Sequence, residues 1–290
     1  MNITIICVPY QVDVTRWGCA NGPQAFLDHG LMDLLDEQGH DVSEPVWIEL
    51  PKGERTRDAV TNLGRIARRT AEAVRAALQE EDDFALVLEG DCTHAVGAIG
   101  GLAQATGNAG VVWFDAHGDL NTMETTTSGF LGGMPYAVAL GWDLDDWRLA
   151  AGLEPPVRAE AAALIGASDL DAAEEEALQR YPIAQVDATA MTQPGVTERI
   201  ESTLRPRANE ARAWYLHIDL DVGGPEECPG SYTPAPYWPP REYILEAARA
   251  TVRTLPVKVA SLAVYNPAAD SDGRGARFGL DMAMAIASSL

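Results

Sequence analysis

The sequence predicts an α/β fold, with a mainly parallel sheet carrying helices on both faces. Three observations lead there. Short apolar segments alternate with segments of helical period along all 290 residues. The apolar segments read as buried strands: Val111–Phe114 is four apolar residues, two of them β-branched. Finally, Phe84–Leu88, Val111–Phe114 and Trp214–Ile218 each run into Asp, His or Cys residues. Open α/β sheets build their sites at such strand ends.

Taken in order, Met1–Pro9 leads into a first strand, and Arg16–Pro23 is a Gly/Pro-rich loop. Gln24–Gln38 reads as a helix, with Phe26, Leu27, Leu31, Leu34 and Leu35 on its apolar face and Gly39 as its stop. Val46–Leu50 is a short strand. Thr61–Glu81 is a long amphipathic helix burying Leu63, Ile66, Ala67, Val74 and Leu78. Strand Phe84–Leu88, helix Thr93–Ala105 and strand Val111–Phe114 continue the alternation, and Thr122–Leu131 is a loop over the strand ends. Then come strand Ala161–Gly166, helix Asp171–Gln179, strand Ile183–Val186, helix Val196–Leu204 and strand Trp214–Ile218. A Pro-rich loop, Gly223–Pro240, precedes helix Arg241–Leu255, strand Val257–Val264 and a closing helix Asp281–Ser288 just after Gly279. No repeat or linker divides the chain, so residues 1–290 are expected to form one domain.

Composition narrows the function. With 47% hydrophobic and 22% charged residues the chain has the makings of a globule with a sizeable core. Its net charge of −22, from 43 acidic and 21 basic residues, opposes nucleic acid or an anionic membrane as partner, since either needs a basic face. The N-terminal segment lacks the basic and small-residue regions of a signal peptide, and no apolar run is long enough for a bilayer. Cys7, Cys19, Cys92 and Cys228 show no close pairing or zinc-ribbon spacing, which fits a reducing cytoplasm.

The chemistry concentrates in Val111-Val-Trp-Phe-Asp-Ala-His-Gly-Asp-Leu-Asn-Thr122. Asp115, His117 and Asp119 alternate, so an extended backbone points them the same way. Carboxylates that converge repel unless a cation lies between them. Taken alone, the segment also suits an Asx-turn loop with a core-facing histidine. Asp219 and Asp221 after Trp214–Ile218, and Cys92 after Phe84–Leu88, favour a metal centre fed by three strand ends.

These residues give the chain a resemblance to the ureohydrolase superfamily of arginase, agmatinase and formiminoglutamase. Gly18–Pro23 looks like its early glycine–proline loop, and Asp115–Thr122 contains its Asp-Ala-His-x-Asp motif. Asp219-Leu-Asp221 matches its later Asp-x-Asp, and Ala263–Pro267 sits where it has Glu-x-Asn-Pro. The resemblance implies a three-layer αβα sandwich and a binuclear, usually manganese, centre. Three positions depart: Cys92 replaces the first histidine ligand, Gly132 the active-site histidine, and Val264 the glutamate that in arginase pairs with the substrate guanidinium. Cys92, Leu131–Met134, Glu124–Thr127 and Ser231–Pro234 are similar to the branch that hydrolyses Nω-hydroxy-L-arginine on the D-cycloserine pathway; Val264 is not.

Carried over from the family, one metal takes Cys92, Asp115, Asp119 and Asp219, and the other Asp115, His117, Asp219 and Asp221. Mn²⁺ suits the carboxylates, while the thiolate draws the preference toward Zn²⁺ or Fe²⁺. Hydroxide activated by the metals is expected to attack a guanidine carbon, with Asp119 passing the proton to the leaving amine. His94 is either a packed structural histidine or a substitute acid for the one absent at Gly132, and His217 shares the side-chain phase of Asp219 at the site's edge. Asn121, Ser128, Asp171 and Glu174 match residues that hold an amino-acid-like substrate. Val264 cannot neutralise a guanidinium, which points to a less basic, N-modified arginine-like substrate unless Glu226, Glu227 or Asp270 enters from a loop. Hydrolysis of a formimino or simple guanidino compound and a catalytically silent metal-binding paralogue are the alternatives. The expected partner is a small molecule, and a homo-oligomer is compatible with the resemblance.

Overall fold

The computed structural model describes residues 1–231 and 233–290; Tyr232, within the Ser231–Pro234 segment, lies outside the described residues. The strands are β1 (Asn2–Val8), β2 (Asp41–Val42), β3 (Val46–Trp47), β4 (Asp83–Glu89), β5 (Ala109–Phe114), β6 (Ala162–Ile165), β7 (Ala184–Val186), β8 (Ala213–Asp219) and β9 (Val257–Ala263). They form one sheet in the order β2-β1-β4-β9-β8-β5-β6-β7, with β3 also paired to β1. Every strand pair is parallel. β8 and β9, late in the chain, therefore fill the gap between β4 and β5. That insertion places the carboxyl ends of four strands side by side.

The helices are α1 (Gly22–Asp28), α2 (Leu31–Glu37), α3 (Ala59–Ala77), α4 (Ala95–Thr106), α5 (Pro135–Ala139), α6 (Asp145–Ala150), α7 (Ala172–Arg180), α8 (Ala188–Met191), α9 (Val196–Leu204), α10 (Gly224–Glu227), α11 (Arg241–Thr254) and α12 (Arg274–Ala287). Alternate strand residues divide the core. Ile3, Ile5, Leu86, Val112 and Leu216 pack with Phe26, Leu35, Ile200, Ile244 and Phe278, so α1, α2, α9, α11 and α12 cover one face. Ile6, Val87, Val111 and Trp113 pack with Ile66, Val74, Ile99 and Tyr136 of α3, α4 and α5 on the other. A side chain fully buried this way contributes roughly 1.5–3 kcal/mol. A second seam on the α3 side joins Leu63, Val96, Val138 and Trp147. The result is the expected three-layer αβα sandwich.

Some expected boundaries move, each for a local reason. The helix expected over Gln24–Gln38 is two helices, parted where Gly30 takes a left-handed φ of 84°. The long helix stops at Ala77 rather than Glu81, because the Asp83 carboxylate accepts the N–H groups of Gln79 (2.9 Å) and Glu80 (2.7 Å). The closing helix starts at Arg274, seven residues before the expected Asp281. Gly279 lies inside it because the Phe26 ring occupies the space a Cβ would need, 2.4 Å away. The short α5, α6, α8 and α10, and β2, carry too few residues for a period to show.

Candidate active site

The loops leaving β4, β5, β8 and β9 enclose a cavity of about 640 Å³, lined by Cys92, His117, Asp119, Asp219, Asp221 and Val264 among others. Asp115 lies beneath it, held by the Trp113 indole N–H (3.0 Å) and the backbone N–H of His117 (2.7 Å). Asp219 accepts the Cys92 thiol at 3.0 Å and the backbone N–H of Asp221 at 2.7 Å. Asp221 accepts the N–H of Ala116 and the hydroxyl of Ser231, each at 3.3 Å. His117 Nδ1 is 3.2 Å from both Asp115 and Asp221. Asp119 sits at a φ of 52°, a conformation aspartate tolerates. Among the described residues, its buried Oδ2 has no hydrogen-bond partner.

Two sets of donor atoms, Asp115–His117–Asp221 and Cys92–Asp115–His217, each lie within 4.8 Å of one another. They share Asp115, as a bridging carboxylate would require. The electrostatics fit cations. Burial and then the Asp221 charge push Asp115 up to about 6. Burial, followed by neighbouring carboxylates, raises Asp119 and Asp219 well above the carboxylate range. Burial and the Asp219 charge likewise raise Cys92. Burial alone would lower His117, but its bonds to Asp115 and Asp221 raise it instead. Burial opposes ionisation of Asp221 too, yet the bond from His117 holds it below its usual value. Buried carboxylates packed this closely oppose one another's ionisation, and a cation among them relieves that.

The expected substrate residues line the same cavity. Asn121 donates to Asp171 (2.8 Å) and accepts from Thr125 (2.9 Å). Both oxygens of Glu174 are engaged, by the N–H groups of Leu120 and Asp171 at 2.9 Å each, so it ties the loop after β5 to the start of α7. The Ser128 hydroxyl accepts the N–H of Phe130 at 3.2 Å on the rim. Val264 takes a left-handed φ of 66°, strained for a β-branched residue.

Other expectations fail on geometry. His94 does not line the cavity; its Nε2 meets the Tyr10 carbonyl at 2.9 Å, which holds it as a packed structural histidine rather than a proton carrier. None of Glu226, Glu227 and Asp270 replaces the missing glutamate. They lie outside the lining, with Glu227 paired to Arg241 and Asp270 accepting from Ala276 and Tyr265. Phe130 went unread in the sequence. Its ring fills the space beside Gly132, 2.2 Å from where a Cβ would sit. Also unread was a buried network below the cavity, in which Tyr215 bonds Ser261 (2.6 Å) and His217 (3.0 Å) beside Glu89. Besides His217, its signal was Glu89 at the end of β4 and Ser261 within β9.

The arginase family model matches residues 1–288. An arginase of Bacillus caldovelox is 33% identical over 243 residues, covering 80% of this chain and 80% of its own length. One of Bacillus subtilis is 33% identical over 241 residues, covering 80% and 79%. The crystal structure of arginase from Bacillus subtilis superposes with a TM-score of 0.88 at 28% identity, over 99% of this chain and 98% of that one. The proclavaminate amidino hydrolase of Streptomyces clavuligerus shares the fold, with a TM-score of 0.71 at 20% identity over 100% and 93% of the two chains.

Proposed function

The chain belongs to the arginase family of metal-dependent hydrolases that cleave amidino C–N bonds, and from that premise we propose that it hydrolyses a guanidino compound less basic than arginine. One observation carries this reading. Among the described residues the cavity is lined by seven carboxylic acids and by no lysine or arginine, while the position facing the guanidinium in arginase is Val264. Such a cavity suits two cations and a substrate of low charge at its reacting end. An unmodified guanidinium beside Val264 would lack its partner, whereas an N-hydroxyguanidine or another N-substituted guanidine loses less.

The two divalent ions, when bound, supply Lewis acidity that lowers the pKa of water. Cys92, Asp115, His117, Asp119, Asp219 and Asp221 would hold them, Mn²⁺ suiting the oxygen donors and Zn²⁺ or Fe²⁺ the thiolate. Asp119 offers its free Oδ2 to the attacking water's proton and returns it to the leaving nitrogen. A C–O bond forms at the guanidine carbon, the C–N bond to the substrate chain breaks, and urea or a urea derivative leaves with the amine. Asn121, Ser128 and Asp171 orient an amino-acid-like substrate, with Glu174 fixing the loop that carries Asn121.

The test is release of the product amine, ornithine, from arginine and from its N-hydroxy derivative after loading with Mn²⁺, Zn²⁺ or Fe²⁺, with urea and hydroxyurea as the respective co-products. The expected result is a higher kcat/KM for the N-hydroxy compound. Equal or better use of arginine removes the assigned role of Val264. Formamide release from an added formimino compound, with neither guanidine cleaved, reassigns the substrate to the formimino class, and silence with every metal and every substrate reassigns the chain to a non-catalytic metal-binding paralogue.

A further inference from the structure

We propose that His217 is a direct ligand of the metal held by Cys92, so that one half of the centre is a thiolate–imidazole–carboxylate site unlike the other half. The inference rests on the binuclear reading above and goes beyond its ligand set. His217 lies opposite Trp113 on β5 and Ser261 on β9, one strand repeat below Asp219 and on the same side of the sheet. The ring is fully buried. Nδ1 meets the Tyr215 hydroxyl at 3.0 Å and the Ser261 hydroxyl at 2.9 Å. Among the described residues, Nε2 has no hydrogen-bond partner. Leaving a buried polar atom unsatisfied costs about 1–3 kcal/mol, and an apolar side chain would fill that position without the cost.

What lies near the ring explains the orphan nitrogen. Donor atoms of Cys92, Asp115 and His217 fall within 4.8 Å of one another. Ligands around one tetrahedral ion stand roughly 3.5 Å apart, so small side-chain movements suffice to close them on a metal. The remainder of the ring's surroundings is what a ligating histidine needs. Ligating imidazoles donate their second N–H to a fixed acceptor; here Ser261 and Tyr215 take that place, backed by Glu89 at 3.7 Å. Trp113 stacks on the ring with centroids 3.8 Å apart and fixes its plane. The Asp115–His117–Asp221 half has only oxygen and imidazole donors. The Cys92 half adds sulfur, so it favours Zn²⁺, Fe²⁺ or Co²⁺ over Mn²⁺.

Cobalt(II) loading of the full chain tests this without reference to turnover. Two Co²⁺ per chain are expected, with a thiolate-to-cobalt absorption that Cys92→Ser abolishes. Proton NMR of the loaded protein should show two strongly shifted, exchangeable imidazole N–H signals. His117→Gln should remove one, and His217→Gln the other. His217→Gln should also weaken one cobalt site more than about 100-fold, beyond the roughly 10–100-fold expected for an outer partner such as Ser261→Ala, while the second site changes little. Cobalt uptake with the thiolate band but only one shifted signal in the unmutated chain overturns the role of His217 and leaves the binuclear reading standing. No cobalt uptake overturns both. The signal count in the unmutated protein decides the question even if His217→Gln fails to fold.

Discussion

Val264→Glu puts the assignment of substrate to the sharpest test. Val264 lines the cavity at the carboxyl end of β9. Its N–H donates to the Gly90 carbonyl at 3.3 Å, and its carbonyl accepts the Cys228 thiol at 3.4 Å, so its backbone is held from both sides. A glutamate there would face the reacting end of the substrate. Restoring a partner to a desolvated guanidinium recovers about 3 kcal/mol, the lower end of the cost of an unpaired buried charge, and this equals about 150-fold in rate. The backbone does not oppose the change: valine at a φ of 66° bears a strain of roughly 1–2 kcal/mol, and glutamate lacks the β-branch that worsens it. The assay is kcat/KM for arginine and for its N-hydroxy derivative, on metal-loaded wild type and variant. Arginine should gain about 100-fold or more, and the preference for the N-hydroxy compound should shrink. An unchanged kcat/KM for arginine, in a variant that keeps its metal content and unfolding midpoint, would refute the reasoning.

Asp119→Asn should lower kcat about 100-fold or more, since it removes the carboxylate proposed to carry the proton; release of the product amine measured at matched metal content checks this. Gly132→His should destabilise the fold by about 1–3 kcal/mol through overpacking against Phe130, and Phe130→Ala in the same chain should restore most of the loss, as thermal unfolding would show. Asp270 bears on acid stability. Burial would raise its pKa, but the N–H groups of Ala276 and Gly275 and the Tyr265 hydroxyl outweigh that and lower it. Its stabilisation is therefore full above the unfolded carboxylate pKa of about 3.9 and is lost as pH falls through the lower folded value. Asp270→Asn should thus cost about 1–2 kcal/mol at pH 7, and urea unfolding should show the gap closing below about pH 4.

The sheet was legible because buried parallel strands are apolar runs and their ends carried Asp115, His117, Asp219 and Asp221 at a spacing that only one side of a strand explains. Periodicity failed where a single contact decides the outcome. Nothing in Gln24–Gln38 says that Gly30 will turn left-handed, and Gly279 reads as a helix start until Phe26 is seen against it. The same holds at the site. Phe130 and Gly132 are two residues apart, yet that one ring fills the other's empty side depends on the loop's path. Tyr215 and Glu89 are 126 positions apart, and Tyr215 and Ser261 are 46 apart. Their meeting follows from strand register, which a single sequence leaves open.

The late entry of β8 and β9 between β4 and β5 has a consequence for biogenesis. A ribosome that has emitted only the first two hundred residues has released two half-sheets whose facing borders, β4 and β5, are unpaired and open to mispairing with other chains. Those halves join only when residues 213–263 wedge in, a non-local pairing of the slow kind. Asp219 and Asp221 arrive with the same wedge, so the proposed metal centre is complete only when the sheet closes.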